Sequence, residues 1–247
     1  MRRFFLHENA IKKDQVTVCG PDAHHIKNVL RLEKGYIIEL IDTYGQSYKA
    51  KITNLSNDKI QTEIIETIDN IVSSEILKIT VAQSMLKDKK NDILVRQATE
   101  LGISRWISFL SERSISRPNK VKMKKKINRW KTIAISAAQQ SKRNFIPIIN
   151  EEIMFLEDIF SLVSTGNQDV KAFFFWEKAQ TLLKREGKKL PKEIILIFGP
   201  EGGFSDKEAK QASDCGLFIR SLGPRILKSE TATVAGLAVI QYIYGNF

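Results

Sequence analysis

Residues 193–204, Glu-Ile-Ile-Leu-Ile-Phe-Gly-Pro-Glu-Gly-Gly-Phe, leave the chain few folds to choose from. Positions 194–198 are apolar without a break, so a strand made from them must be covered on both faces, as in a parallel sheet. The run stops at Gly199-Pro200-Glu201-Gly202-Gly203. Ser205, with Glu208 three residues on, then spells a capping box that starts a helix. Turns at the carboxyl ends of parallel strands are where α/β sheets bind ligands. Glycine accepts positive φ and lets a ligand approach the backbone, so a branched side chain at Gly202 should fill ligand space. Pro200 stiffens the turn and removes a donor. The turn is not Gly-x-Gly-x-x-Gly and no Lys-Ser/Thr follows, which argues against dinucleotide and P-loop chemistry. A tight turn with no ligand fits the glycines equally well.

Strands and helices alternate on either side of this turn, which predicts an α/β domain over 76–247 with a largely parallel sheet. Strands are expected at 77–82, 105–110, 171–176 and 217–222, with a short one after Pro147. Helices are expected at 88–101 (stopped by Gly102), 120–140, 156–163, 180–185, from Ser205 to about 215, and at 229–244. The last of these is apolar on nearly every side, so it is either buried or a subunit interface. Residues 1–70 read differently, as short strands at 3–7, 15–19, 36–42, 47–55 and 59–67 separated by turn chemistry at 43–46 and 56–58. One short helix is expected at 22–31, capped by Asp22, with Ile26, Val29 and Leu30 on one face and Gly35 as its stop. This is a small β-rich, barrel-like module, and the patternless residues 69–75 are the boundary.

The net charge of +11 is concentrated: residues 71–143 hold 17 Lys and Arg against 5 acids. The segment 120–131 carries seven cations and no acid. Clustered positive charge suits a polyanion such as a nucleic acid, through phosphate neutralisation and counterion release; a solvated lysine-rich face is the plain alternative. Cys19 and Cys215 show no metal spacing and fit a reducing, cytoplasmic compartment. No apolar run approaches the ~20 residues of a membrane span, and the start, Met1-Arg2-Arg3-Phe4-Phe5-Leu6-His7, reads as a strand rather than a signal sequence. His24 and His25 lack a third ligand and read as packing residues, so no metal is expected. Trp106, Trp130 and Trp176 read as core.

A second special turn, Leu222-Gly223-Pro224-Arg225-Ile226-Leu227, follows the next strand and runs into Lys228-Ser229-Glu230-Thr231-Ala232. The two turns, at the ends of consecutive strands, resemble those of the SPOUT methyltransferases, and specifically the RsmE family that methylates N3 of a uridine in small-subunit (16S) ribosomal RNA. The resemblance covers nearly the whole chain. It includes Met1–Phe5, His24-His25-Ile26-Lys27-Asn28-Val29-Leu30-Arg31-Leu32, Ala98-Thr99-Glu100-Leu101-Gly102, Ser111-Glu112-Arg113-Ser114 and Gln140-Ser141-Lys142-Arg143. The chain departs from the family pattern at Gln97, commonly lysine, and at Gln139, often glutamate.

The resemblance implies a PUA-like RNA-binding domain over 1–70 and a knotted SPOUT methyltransferase domain over 76–247. It implies a homodimer with S-adenosylmethionine bound in the knot. The cofactor would be held by Phe175, Trp176 and Glu177, by Gly199, Pro200, Glu201, Gly202 and Gly203, and by Leu222, Gly223, Pro224, Arg225, Ile226 and Leu227. Methyl transfer from a sulfonium to N3 is in-line displacement, mostly a matter of positioning. Negative charge grows on the uracil oxygens, and Arg225 is the cation placed to meet it; pairing with Glu201 or Glu230 is its structural alternative. Glu201 could instead balance the sulfonium or orient the loop. No residue announces itself as a general base. A paired uracil hides N3, so the base must be unpaired or extruded. That requires grip elsewhere, for which Arg2, Arg3, Arg31, Lys87, Arg113, Lys124, Lys125, Lys126 and Arg143 are the candidates. A non-catalytic RNA-binding or ribosome-assembly factor would share the basic surface but has no need of two glycine-proline turns.

Overall fold

The apolar run at 194–198 is a strand buried at every position, none of its five residues more than 5% exposed. The computed structural model describes residues 1–7, 10–56, 58–68, 77–163 and 169–245. Two units emerge, residues 1–74 with 138–145, and residues 75–137 with 146–247. The boundary expected at 69–75 lies outside the described residues.

The first unit contains β1 (Arg3–Phe5), β2 (Ile11–Lys12), β3 (Gln15–Cys19), α1 (Pro21–His24), β4 (Ile37–Ile41), β5 (Ser47–Leu55) and β6 (Lys59–Ile68). They form one sheet in the order β1-β4-β5-β6-β3-β2, parallel only between β1 and β4. Register shifts in β5 at Lys49/Ala50 and Ile52/Asn54 bend it, as bulges do. Alternate residues such as Val16, Val18, Ile38 and Leu40 face a core closed by Phe4 and Ile26. The expected helix at 22–31 is shorter and changes type. Gly20 is its N-cap, Pro21 opens α1 and Asp22 lies inside the first turn. A π-helical turn, His25–Val29, follows. The wider turn shifts the phase, so Ile26 is buried while Val29 is 63% exposed. The helical run has ended by Arg31, where φ is 52°, ahead of Gly35. The His25 ring packs edge-on against Phe4, centroids 6.2 Å apart.

The second unit contains β7 (Lys78–Ser84), α2 (Lys90–Glu100), β8 (Arg105–Leu110), α3 (Lys120–Gln140), β9 (Ile148–Ile149), β10 (Met154–Phe155), α4 (Leu156–Val163), β11 (Val170–Phe175), β12 (Glu193–Phe198), α5 (Asp206–Asp214), β13 (Phe218–Arg220) and α6 (Ser229–Tyr244). Its sheet runs β10-β8-β7-β12-β11-β13, with β9 beside β8, and every pairing is parallel. The two special turns are therefore not neighbours in the sheet, because β11 lies between β12 and β13. The helix expected at 180–185 does not form. Leu182 bridges to Ser221, Leu183 N donates to Ser221 O at 2.9 Å, and Ser221 N donates to Thr181 O at 2.9 Å. The main-chain groups at the open edge beyond β13 satisfy this segment better than an isolated helical turn would.

Helix α6 returns to pack on β12 and α2. It buries Thr233, Gly236, Leu237, Ile240, Gln241 and Tyr244. Gly236 rests on the stacked rings of Phe175 and Phe198, whose centroids are 4.5 Å apart. A Cβ there would stand 2.9 Å from Phe198 Cζ and 3.3 Å from Phe175 Cζ. Phe198 is only 1% exposed, so its ring must shift to admit the methyl group. Gly236→Ala is expected to lower unfolding free energy by about 1–3 kcal/mol through overpacking; the midpoint of a urea melt measures it, and an unchanged midpoint would contradict this packing.

Candidate functional site

Because β7, β12, β11 and β13 are parallel, their carboxyl ends share one edge. The register aligns Gln83 with Phe198, Phe198 with Phe175, and Phe175 with Arg220. The turns leaving β12, β11 and β13 wall a cavity of about 310 Å³. Its lining includes Phe175, Trp176 and Glu177 after β11, all of residues 199–204 after β12, and Leu222, Gly223, Arg225, Ile226 and Leu227 after β13. Pro224 is exposed and is the one residue of the expected cofactor set absent from the lining. Stacked Phe175 and Phe198 belong to the lining, and Phe198 is an addition the sequence did not suggest.

The capping box at Ser205 forms in full: Glu208 N donates to Ser205 Oγ at 3.2 Å, and Ser205 N donates to Glu208 Oε2 at 2.8 Å. Glu112 reinforces it, accepting from Ser205 Oγ at 2.7 Å. Gly203, at φ +66°, closes the glycine turn by donating to Pro200 O at 3.0 Å. The Glu177 carboxylate lies against it, both oxygens 3.1 Å from where a Cβ would stand. Gly202 differs from expectation. Its missing Cβ would point to Arg113, 3.4 Å from that residue's Cβ, so a side chain there meets Arg113 first.

Glu201 does not pair with Arg225. Its Oε1 accepts from Lys87 N and Lys90 Nζ, each at 3.1 Å. Burial alone would raise this carboxyl, but the Lys87 amide, its own amide and the Lys90 ammonium together hold it below its usual range. Glu230 likewise goes to Lys90, at 3.3 Å. Arg225 is exposed and has no ion-pair partner among the described residues. Trp176, read as core, instead borders the cavity, and its Nε1 is buried without a partner among the described residues. Trp106 and Trp130 are fully buried, donating to Ser108 Oγ and Asp92 Oδ1.

A buried amide pins this edge together. Gln83 Nε2 lies 3.1 Å from Gly199 O, Ser229 Oγ and Ser84 O, while its Oε1 accepts from Thr233 Oγ1 at 2.6 Å. Ser229 Oγ in turn donates to Gly199 O at 2.6 Å. Sequence reasoning missed this residue; its signal was a Gln-Ser pair closing the strand directly after the apolar Val81-Ala82.

The RNA candidates are scattered. In the first unit Arg2 and Arg31 are exposed. Arg3 is committed internally, pairing with Glu39 at 3.0 Å and donating to Asn144 Oδ1 at 2.6 Å. Arg143 is half-buried and its carbonyl accepts from Arg3. In the second unit Lys87 is exposed, and Arg113 donates to Gly202 O at 3.0 Å, bracing the glycine turn. Helix α3 buries Met123, Ile127, Trp130 and Ala134 and turns Lys124 and Lys125 outward, with Lys126 half-buried. No group of three or more metal-binding side chains occurs among the described residues.

Residues 73–241 match the model of an RNA methyltransferase domain, and residues 18–65 that of an RNA methyltransferase PUA domain. The ribosomal RNA small subunit methyltransferase E of Bacillus subtilis is 30% identical, the match covering 98% of this chain and 96% of that one. The protein of the same name from Mesomycoplasma hyopneumoniae is 32% identical, over 95% and 96%. Among solved structures, the Neisseria gonorrhoeae ribosomal RNA small subunit methyltransferase E bound to S-adenosyl methionine superposes with a TM-score of 0.86 at 28% identity, over 99% and 98% of the two chains.

Proposed function

The chain belongs to the RNA methyltransferase family of which the ribosomal RNA small subunit methyltransferases E are members, and from that premise we propose that it methylates N3 of a uridine in 16S ribosomal RNA, with S-adenosylmethionine as donor. The observation that carries this reading is one cavity walled by three turns from the carboxyl edge of a parallel sheet. Its residues fit the donor. About 310 Å³ lies at the lower end of the range for small-molecule sites. The wall after β12 is largely glycine main chain, and Trp176 Nε1 is a buried donor without a partner among the described residues. Bound there, S-adenosylmethionine supplies a sulfonium methyl group for in-line transfer.

The residues of the three turns hold and align the donor, Glu177 contributes a carboxylate with no ion-pair partner among the described residues, and Arg225 faces the charge that develops on the uracil ring. The unit containing residues 1–70 and the basic face of α3 grip RNA phosphates, which orients the substrate without reading its sequence. Val239 and Tyr242, 39% and 79% exposed on α6, fit a homodimer, and the assembled small subunit in the cytoplasm fits such a substrate.

Mapping methylated nucleosides in ribosomal RNA from cells with and without this gene tests the reading; identical maps would overturn it. Changing Lys124, Lys125 and Lys126 together to Glu should weaken RNA binding and reduce the slope of log affinity against log salt by up to about two, if each side chain meets one phosphate. Donor affinity should be unchanged. Filter binding at several salt concentrations measures the slope, and an unaltered slope would remove α3 from the RNA surface.

A further inference from the structure

We infer that Lys90 is a positioning residue: it straps the turn after β12 to the first turn of α6 and so sets the affinity for the methyl donor. The inference rests on the proposed function. Lys90 opens α2, an element that supplies no lining to the cavity. Its ammonium reaches Glu201 Oε1 at 3.1 Å, in the glycine turn, and Glu230 Oε1 at 3.3 Å, in α6 just beyond the second turn. The hydrogen bond it donates to Glu201 is the chief reason the Lys90 ammonium titrates above its usual range; the one it donates to Glu230 adds to it. Lys87 N adds a main-chain bond to the same Glu201 oxygen. The connection between β7 and α2 thus holds both turns through charge, while Gln83, at the end of β7, holds Gly199 and Ser229 through its amide.

A lysine at a helix N-terminus opposes the helix dipole, so its own helix gives no reason for it to be there. The two carboxylates do. Glu230 Oε2 is buried without a partner among the described residues, and both carboxylates lean on one ammonium. Removing that ammonium leaves two like charges beside each other, one of them partly desolvated, and they separate. Separation moves the two turns apart, and the cavity between them loses its shape. Glu201 Oε1 accordingly acts in the loop's own architecture, being engaged by Lys87 N and Lys90 already.

The test is Lys90→Met in the full chain, read by calorimetry with S-adenosylmethionine and by amide hydrogen exchange. Donor affinity should fall about tenfold or more. Exchange should quicken at 201–204 and 228–231 and stay unchanged in the strands. Lys90→Arg should restore most of the affinity, and Lys89→Met, an exposed neighbour with no carboxylate partner, should leave it within twofold. Glu230→Gln, which keeps the fold while removing one arm, should lie between. A purely structural lysine would lower the melting temperature without quickening the two turns selectively. Wild-type donor affinity and unchanged exchange in Lys90→Met and Glu230→Gln would overturn the strap. If the wild type takes up no donor, the proposed function falls, whereas hydrogen exchange at the two turns still decides the strap.

Discussion

Gly203→Val should cost about 100-fold in affinity for S-adenosylmethionine. Two effects add. At φ +66° an L residue is strained by ~1–2 kcal/mol, more for a branched one. Its Cβ would also stand 3.1 Å from both carboxylate oxygens of Glu177, so that side chain must shift in the cavity wall, further still to clear the valine methyls. Together they approach ~3 kcal/mol, which corresponds to the stated factor. Gly202→Ala is the contrasting variant. Its Cβ meets Arg113, at 3.4 and 3.7 Å from the side chain and 3.9 Å from the carbonyl oxygen, all ordinary contacts, and affinity should stay within about threefold. Titration calorimetry on both variants separates the positions. Equal losses would mean that the turn fails as a whole, and normal binding by Gly203→Val would mean that it does not wall the ligand site.

That contrast marks where sequence stops informing. Periodicity places β3, β5, β8, α3, α4 and α6 at their observed bounds, because each carries an unbroken apolar run, alternation or helical stripe. The capping box at Ser205 is equally legible, since its partners lie three residues apart. Sheet order is not local: nothing in 170–175 says that this strand inserts between β12 and β13, and only that insertion makes the turn after β11 a third wall. Arg3 looks like a free cation until the parallel register sets it opposite Glu39. Gln83 and Lys90 bond partners 116 and 111 residues away, beyond any window of local pattern. The direction of a missing Cβ at Gly202 or Gly203 depends on φ and on neighbours from other elements, so glycine content alone could not rank them.

Arg225→Ala should lower kcat/KM for RNA methylation by about 100-fold or more, with a much smaller loss of donor affinity. Two cations line the cavity, Arg220 and Arg225. Arg220 is held by Glu186 at 3.0 Å and by Ile219 O at 2.7 Å. Lys90 is shared by two carboxylates and Arg113 is spent on Gly202 O. Arg225 lines the same cavity and has no ion-pair partner among the described residues, so its charge is available when the uracil ring becomes an anion. Removing one such stabilising donor typically costs ~2.7–4 kcal/mol of transition-state energy. Arg225→Lys should recover part of the rate, since a point charge remains but the planar fork is lost. Single-turnover methylation with saturating donor isolates the chemical step. A rate for Arg225→Ala within about threefold of wild type would take the arginine out of the chemistry and return it to the role of a solvated loop residue.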